Sequence, residues 1–346
     1  MSLEGQGKQV LEVSRGRLPE AWNAQLLKLK GGYYLSAEYA DIQKRDGSEP
    51  IYFILRDAGE VSGMALGILT RQWMRWPGRQ LCREFHWQTH PVVRDDDVAR
   101  LEAFVDQIVA HVDAMGVLGF HLHSEDARIS PRHLDKNAYA CRSRLEYSIP
   151  LSEDPAEVMA RIASRKRTYL RSAIKSSLLE VREESTLEAV SKLIDFQEVS
   201  RDRRRKRGED YAISAPSAAK RIFEDYIQSG QGKLFLSYQE GVPLSGILLH
   251  CWGGRAYYTM SGCSEAGFSA NAPLLTVWCA IQALCRQGYV ELNMGGVGAS
   301  GADPADVSHG LYRFKRSFGG NEIECYTYER RSTGLRARLG ELLLKR

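Results

Sequence analysis

The sequence lacks the features that mark a membrane-spanning protein or a disulfide-stabilised secreted one. No stretch approaches the ~18 apolar residues of a transmembrane helix. Residues 1–8 contain no apolar core of a signal peptide, so we expect no export by that route. The seven cysteines are scattered and form no C-x-x-C pair. This pattern predicts free thiols, no zinc ribbon and a reducing, cytoplasmic location.

The sequence also lacks two common catalytic motifs. It has neither a G-x-S-x-G nucleophile elbow nor a Walker A lysine motif, which argues against a serine hydrolase and a P-loop nucleotide enzyme. Cys251, Cys279 and Cys285 lie in apolar runs, where free cysteine behaves as a small hydrophobic residue. We therefore expect these three thiols in the core and not as nucleophiles.

The histidines do not have the spacing of a metal site. His121 and His123 share one face of a predicted strand, and His86 and His90 flank Trp87. No further cysteine or histidine completes a recognisable ligand set. The sequence therefore predicts structural or surface histidines and no metal site.

What is present is the composition of a folded protein. The chain has 346 residues, of which 43% are hydrophobic and 26% charged. This length favours two domains over one core. Prolines at 150 and 155 interrupt a predicted strand, which places a boundary near residue 150 and gives domains 1–150 and 151–346.

An internal repeat indicates that one fold is used twice. Each half has a hairpin whose second strand carries a Ser-Gly pair, then a further strand, a helix that ends near a glycine, and another strand. The hairpin strands, helix and last strand are 51–55, 61–69, 98–115 and 118–122 in the first half, and 233–238, 243–249, 273–286 and 289–294 in the second. The predicted fold class is α/β (α+β), with two tandem units of mixed sheet flanked by helices.

The segment between the two hairpins is predicted to be mainly helical. Helices are expected at about 154–175, 187–205 and 216–229, with a short strand at 179–182. A short basic amphipathic helix is expected at 334–346. No low-complexity linker separates the halves, so we expect them to pack tightly.

Basic residues are clustered, although the formal net charge is only +4. Residues 161–175 contain six Lys or Arg and no acid, and 201–207 contain six more with one aspartate. Such clusters suit a polyanionic partner, because charge acts within a Debye length of ~8 Å. Two solvated helix faces would have the same composition, and both interpretations stay open here.

Two further segments suggest a ligand site. Residues 293–301 follow a predicted strand and are rich in glycine, which is typical of a loop at a cleft. Residues 310–320 interleave three cations with three aromatic residues and end in a glycine pair. Cations neutralise phosphate and aromatic rings stack on bases, whereas an amphipathic turn with snorkelling cations is the alternative.

These residues together resemble the FemAB-type aminoacyltransferases, which build peptidoglycan interpeptide bridges. Residues 311–320 are similar to the family's C-terminal signature, 167–175 to its basic helix, 196–208 to its helix ending in a basic phrase, and 257–262 to its cleft-facing strand. The resemblance implies two GNAT-like units, the first on the acceptor side and the second on the donor side. It also implies aminoacyl-tRNA as donor, an amine as acceptor, and no metal or coenzyme.

The resemblance implies roles for individual residues. Lys315 would stabilise the oxyanion or contact the tRNA end, and Phe314 would pack on the terminal adenosine. Lys206 and Arg207 would hold an acceptor phosphate, and Tyr258 would line the pocket. The other implied substrate-binding residues are Arg313, Arg316 and Ser261, and the implied tRNA-binding residues are Arg165, Lys166, Arg167, Arg171 and Lys175.

The chain lacks two features that some FemAB-type enzymes have, and other functions remain open. The segment 187–229 is too short for the coiled-coil arm of some members, and residues 89–93 lack their Gly-Pro phrase. The acceptor could be a peptidoglycan precursor, an exopolysaccharide precursor or a small amine. The alternatives are an acyl-CoA N-acyltransferase, whose pyrophosphate loop Q/R-x-x-G-x-G/A has only a poor match at 261–273, and a non-catalytic tRNA- or polysaccharide-binding module.

Overall fold

The computed structural model describes residues 9–71, 82–131, 134, 139–208, 213–332, 334, 335, 338, 339 and 342. The chain forms two compact units, 1–143 with 325–346, and 144–324. We call these the first and second unit. The predicted domains, 1–150 and 151–346, stay a prediction.

The first unit combines a sheet with three α-helices among its described residues. Its helices are α1 (Trp22–Lys28), α2 (Ala37–Arg45) and α3 (Val98–Ala114). Its strands are β1 (Val10–Arg15), β2 (Glu49–Asp57), β3 (Glu60–Arg71), β4 (Arg83–Trp87), β5 (Val92–Val93), β6 (Gly119–His123), the start of β7 (Ala140–Pro150) and the end of β13 (Asn321–Arg331).

The first unit's sheet has the order β1-β2-β3-β4-β6-β13. Only β4 and β6 are parallel in this order, and β13 closes the sheet by pairing antiparallel with β6. Helix α3 buries the apolar positions that share its 3.6-residue period, and Asp97 caps it by accepting hydrogen bonds from the Ala99 and Arg100 amides. These positions pack in one core with β4 and β6 residues such as Phe85 and Phe120.

The second unit contains the remaining elements. Its helices are α4 (Pro155–Arg161), α5 (Ser164–Ser176), α6 (Leu187–Arg205), α7 (Ala219–Ile222, continued by a π-helical turn Phe223–Gln228), α8 (Glu265–Ser269), α9 (Ala272–Arg286) and α10 (His309–Arg316). Its strands are most of β7, β8 (Glu180–Glu184), β9 (Gly232–Gln239), β10 (Val242–Trp252), β11 (Arg255–Cys263), β12 (Glu291–Gly298) and the start of β13.

The second unit's sheet repeats the plan of the first. Its order is β8-β9-β10-β11-β12-β7, and only β11 and β12 are parallel. Helix α9 takes the place of α3, with Leu274, Trp278 and Ile281 in the core. The predicted fold class, two units of mixed sheet flanked by helices, is therefore confirmed.

Local differences from the predicted elements have tertiary causes. The helix predicted at 154–175 is divided, because Ile162 is extended and the Ala163 amide donates to the Ser317 carbonyl. The glycine-rich segment 293–301 is a strand as far as Gly298 and then a 3₁₀ turn, Ala299–Ala302. The predicted helix at 334–346 lies largely outside the described residues.

Candidate active site

A cavity of about 1110 Å³ lies within the second unit. Seven cations contribute to its lining: Arg165, Lys166, Arg203, Arg204, Arg207, Arg313 and Arg316. Five aromatic residues join them: Tyr169, Tyr258, Phe268, Tyr312 and Phe314. No aspartate or glutamate is among the lining residues that the structure describes. So many like charges around one cavity repel one another, and the arrangement favours an anionic ligand.

The cavity opens where the two parallel strands of the second unit part. β11 and β12 pair in parallel over Arg255–Tyr257 and Glu291–Asn293. β11 continues to Cys263, and Tyr258 and Ser261 on this continuation line the cavity. A loss of parallel pairing at the sheet centre thus gives a ligand access to a strand edge.

The C-terminal half of α6 carries one group of cations. Ser200, Arg203 and Arg204 follow the spacing i, i+3, i+4, which places them on one face of α6. Arg207 lies two residues past the end of the helix, and all four residues line the cavity. Gly262 lets this helix approach β11, because a Cβ there would lie 2.5 Å from the Phe196 carbonyl carbon. The cations also suit the negative end of the helix dipole.

Arg203 is held in place by its neighbours. Its guanidinium carbon lies 4.4 Å above the centroid of the Phe268 ring, and its Nη1 is 3.7 Å from the exposed Glu265 carboxylate. The Ser200 hydroxyl accepts a hydrogen bond of 3.3 Å from the Cys263 amide. The α6 face is therefore tied both to β11 and to the segment that follows it.

Helices α5 and α10 supply the other cations. The Ala163–Ser317 hydrogen bond of 2.9 Å joins the start of α5 to the end of α10. Gly319 has φ +72°, and a Cβ there would lie 2.1 Å from the Arg161 carbonyl oxygen. Gly319 thus permits the segment after α10 to lie close to Arg161, the last residue of α4.

Lys315, the residue predicted to be catalytic, lies behind the cavity wall. It is only 7% exposed, and its Nζ donates a 2.8 Å hydrogen bond to the Gly296 carbonyl. A Cβ built on Gly295 would lie 3.6 Å from Lys315 Nζ and 3.7 Å from the carbonyl oxygen of Tyr258. Lys315 thus lies at the point where β11 and β12 part, but it is not among the lining residues. Its role stays a prediction.

The structure brings together eight of the residues named from the sequence. Those that line the cavity are Arg165, Lys166, Arg207, Tyr258, Ser261, Arg313, Phe314 and Arg316. Lys206, Arg171 and Lys175 are exposed and do not line it. Arg167 donates to the Ala160 carbonyl at 2.6 Å and is also outside the lining. The roles of all these residues stay predictions.

Sequence reasoning missed several lining residues. Arg203 and Arg204 were seen only as part of a basic cluster, and the helical spacing from Ser200 would have singled them out. Tyr169 lies one turn after Arg165 and could have been found in the same way. Phe268 gave no local signal, because its place beside Arg203 depends on the packing of α6 against β11.

The burial of the cysteines argues against a role as catalytic nucleophiles. All seven cysteines are free in the structure. Cys251 and Cys285 are buried, as predicted, and Cys279 is half-buried. Burial raises the pKa of the Cys279 thiol to about 11 and also raises that of Cys251. Both thiols therefore stay protonated near neutral pH, which makes them poor nucleophiles.

A match to a known domain family coincides with the cavity. Residues 160–316 match the family described as Acetyltransferase (GNAT) domain. The matched segment contains all the cavity-lining residues except Ser317. The protein is a transferase, and this part of it is similar to the GNAT domain. No curated protein matches its sequence.

Solved structures show the fold over nearly the whole of this transferase. The structure titled FemX has 15% identity, covers 95% of this chain and 99% of its own, and superposes with a TM-score of 0.72. L-PGS from Bacillus licheniformis has 15% identity, coverage of 96% and 98%, and a TM-score of 0.50. A tandem GNAT protein from the clavulanic acid biosynthesis pathway has 8% identity, coverage of 93% and 99%, and a TM-score of 0.51. The resemblance to the FemAB-type family is thus confirmed at the level of the fold.

A membrane-spanning helix was not expected from the sequence. Among the described residues, no helix combines the length and the apolar character needed to cross a bilayer.

Proposed function

We propose that this transferase moves an aminoacyl group from aminoacyl-tRNA to an amine on a cell-envelope precursor. The observation that carries the proposal is the cationic, aromatic lining of the cavity in the second unit. Because aminoacyl-tRNA is made in the cytoplasm, the proposal also places the protein there. The resemblance to FemAB-type enzymes supports the same donor and acceptor classes.

The lining suits the 3′ end of a tRNA. Cations that track phosphates and aromatic rings that stack on unpaired bases are the two components of single-stranded nucleic-acid sites. Tyr169 and Arg165 are neighbours on α5, with the Arg165 guanidinium carbon 5.9 Å from the Tyr169 ring centroid. Phe268 and Arg203 form a second such pair. The cavity volume of about 1110 Å³ lies just above the range of about 300–1,000 Å³ for small-molecule sites.

The segment between β11 and α9 argues against acyl-CoA as donor. In acyl-CoA N-acyltransferases the backbone amides of this segment cradle the pyrophosphate. Here the Gly267 amide donates to the Ser264 hydroxyl at 3.0 Å, and the Phe268 amide donates to the Ser264 carbonyl at 2.9 Å. The Ala270 and Asn271 amides donate to carbonyls of the same segment at 2.9 and 3.2 Å. These four amides are committed within the chain and would have to be released to bind a pyrophosphate.

The acyl-CoA N-acyltransferase remains the second candidate. The match of residues 160–316 to the family described as Acetyltransferase (GNAT) domain supports this candidate. A CoA moiety is also anionic and aromatic, so the cations alone do not separate the two donors. The four backbone amides between β11 and α9 already donate hydrogen bonds within the chain, and this favours aminoacyl-tRNA over acyl-CoA as the donor.

The chemistry is an aminolysis of an activated ester. The acceptor nitrogen attacks the ester carbonyl carbon and forms a C–N bond and a tetrahedral oxyanion. The C–O bond then breaks, the ribose 3′ oxygen leaves with a proton that came from the amine, and an amide remains. The protein's contribution is to position the two reactants and to stabilise the oxyanion. Lys315 is the candidate for the second task.

Binding measurements separate the two donors. Anisotropy of a fluorescent tRNA acceptor-stem helix ending in single-stranded CCA should show binding that CoA does not compete away. The logarithm of the affinity should fall steeply with the logarithm of salt concentration, by about 0.7 for each phosphate neutralised on a single strand. Displacement of the RNA by CoA at stoichiometric concentration would favour the acyl-CoA candidate instead.

A matched pair of variants assigns the binding to the cavity. Arg204→Gln removes a lining cation, whereas Arg286→Gln removes an exposed cation of the same unit that is not in the lining. We expect weaker RNA binding and a shallower salt dependence in the first variant only. Equal losses in both variants would indicate general electrostatic attraction to the surface.

A further inference from the structure

A cluster of ligand-type side chains lies on the first unit's sheet, outside the cavity. Glu84 and His86 alternate along β4, and His121 stands opposite His86 in the parallel register with β6. All three therefore face away from Phe85 and Phe120, which pack in the core with α3. One ligand atom of each residue lies within 4.8 Å of the others.

The separations within the cluster suit a shared cation better than hydrogen bonds. Glu84 Oε2 is 3.9 Å from His86 Nε2 and 3.6 Å from His121 Nε2, both too long for a hydrogen bond. Ligand atoms around a tetrahedral zinc ion are about 3.4 Å apart, given Zn–N and Zn–O distances of about 2.0–2.2 Å. The two imidazole rings are stacked, with centroids 4.5 Å apart and planes 8° from parallel. The two rings would have to rotate out of this stacked arrangement for their nitrogens to converge on one ion with Glu84.

The surrounding residues orient these side chains. Arg331 donates to Glu84 Oε1 at 2.6 Å and fixes the carboxylate, whose Oε2 faces the two rings. The Glu329 carboxylate is 3.9 Å from His121 Nδ1, on the side of the ring away from Glu84. The Thr70 hydroxyl is hydrogen-bonded to His86 Nε2 at 3.0 Å, and this nitrogen would have to be released for a cation to bind there. The 3.9 Å distance between Glu329 and His121 is too long for a hydrogen bond, so Glu329 would become the usual outer partner of a ligating histidine only after the His121 ring rotates.

The second unit provides an internal comparison. Its parallel pair begins with Arg255 opposite Glu291, where the first unit has Glu84 opposite Gly119. Arg255 and Glu291 form an ion pair of 3.0 Å. At the third register position the second unit has Tyr257 and Asn293, where the first has His86 and His121. The histidine–carboxylate set is therefore a property of the first unit and not a requirement of the shared fold.

We propose that Glu84, His86 and His121 bind a divalent cation of the zinc class. Two imidazole nitrogens and one carboxylate oxygen are the donor set that this class prefers, and hard cations such as Mg²⁺ prefer oxygen alone. The side chains of His86 and His121 are 31% and 24% exposed, so solution has access and a water completes the tetrahedron. No metal-ligand spacing is visible in the sequence, because the three ligands come from two strands that are separated in the chain by α3.

The test is metal binding by the full chain, without a histidine tag and after removal of metal with a chelator. We expect one equivalent of Zn²⁺ by calorimetry, a rise in melting temperature, and the visible absorption of tetrahedral Co²⁺ when CoCl₂ is added. His121→Gln should abolish all three signals. Glu329→Gln should weaken binding by about tenfold, the low end for loss of an outer partner.

Two controls make the test specific. His111→Gln changes a histidine on α3 outside the cluster and should bind metal as the wild type does. Cys141 is exposed, so the Cys141→Ser background removes a competing thiol ligand. Circular dichroism checks that each variant is folded. Absence of stoichiometric Zn²⁺ binding by the wild type, or unchanged affinity in folded His121→Gln, would overturn the proposal.

Discussion

The two units share one strand order and differ in what they place around their parallel strand pair. In the second unit β11 and β12 part after three residue pairs, and a cavity lined by seven cations lies beside them. In the first unit β4 and β6 pair over four residues, and two histidines and a glutamate occupy one face. The same strand order thus presents two different sets of side chains. Function therefore has to be argued from the side chains and not from the fold.

The charged side chains near the parallel strand pair also differ between the two units. The cavity cations of the second unit lie on three helices, α5, α6 and α10, or, for Arg207, just past the end of α6. In the first unit the charged residues of the cluster lie on strands, and Arg331 of β13 reaches Glu84 of β4 across Gly119 of β6, which stands opposite both. The cavity side chains are therefore available to a large anion, and those of the first unit are arranged around one another.

The largest effect expected is on turnover, from a substitution in the second unit. Lys315→Ala should lower turnover by about 10²-fold or more if Lys315 stabilises the oxyanion, as for loss of an oxyanion donor. Steady-state kinetics measure this, and Lys44→Gln, an exposed cation on α2, is the control. Unchanged turnover would remove the assigned role. A lowered melting temperature with normal turnover would identify Lys315 as a structural support for Gly296.

A smaller effect is expected on donor affinity. Phe314→Ala should weaken binding of charged tRNA by ~1–3 kcal/mol, about 5- to 150-fold, if the ring stacks on the terminal base. Phe314 also contacts Phe318 edge to face at 5.3 Å, so Phe314→Leu retains apolar packing but not the flat ring. Both variants should raise the Michaelis constant for charged tRNA more than they change kcat. Wild-type affinity in both would argue against stacking.

A pH experiment compares the cores of the two units. Burial lowers the pKa of His90, in the first unit, and of His250, in the second, to about 3. The unfolded chain binds a proton near pH 6.5 that the folded chain does not, so each histidine makes stability fall as pH drops from 6.5 towards 3. His90→Asn and His250→Asn should each reduce this slope, by up to ~1.4 kcal/mol per pH unit. Denaturant unfolding at pH 4 to 7 measures the free energy of unfolding and its slope with pH. A slope equal to that of the wild type in both variants would contradict the assigned burial of the two histidines.

Much of the fold could be predicted because its signals are local. Helix α3 has an apolar 3.6-residue period, an aspartate cap and a terminal glycine, and the structure ends it within one residue of the predicted position. The pairing of β13 with β6 could not be predicted, because Tyr328 and Leu122 are more than 200 residues apart in the chain and no turn links them. The break at Ile162 also depends on a distant partner, Ser317.

The candidate sites also have features that could be predicted from the sequence and features that could not. The aromatic and basic segment at 310–320 was recognisable, and Arg313, Phe314 and Arg316 line the cavity. The burial of Lys315 against Gly296 depends on how α10 packs on β12, which composition does not encode. The histidine–glutamate cluster escaped notice because it forms only when two parallel strands are in register.

The central claim is that the second unit takes its acyl group from a charged tRNA. The most direct measurement is a transfer assay in which amine-bearing cell-envelope precursors are offered tRNA charged with labelled amino acids or labelled acetyl-CoA. We predict that label moves from tRNA to the acceptor, that Lys315→Ala suppresses this transfer, and that acetyl-CoA does not support it. Transfer from acetyl-CoA with none from charged tRNA would contradict the account.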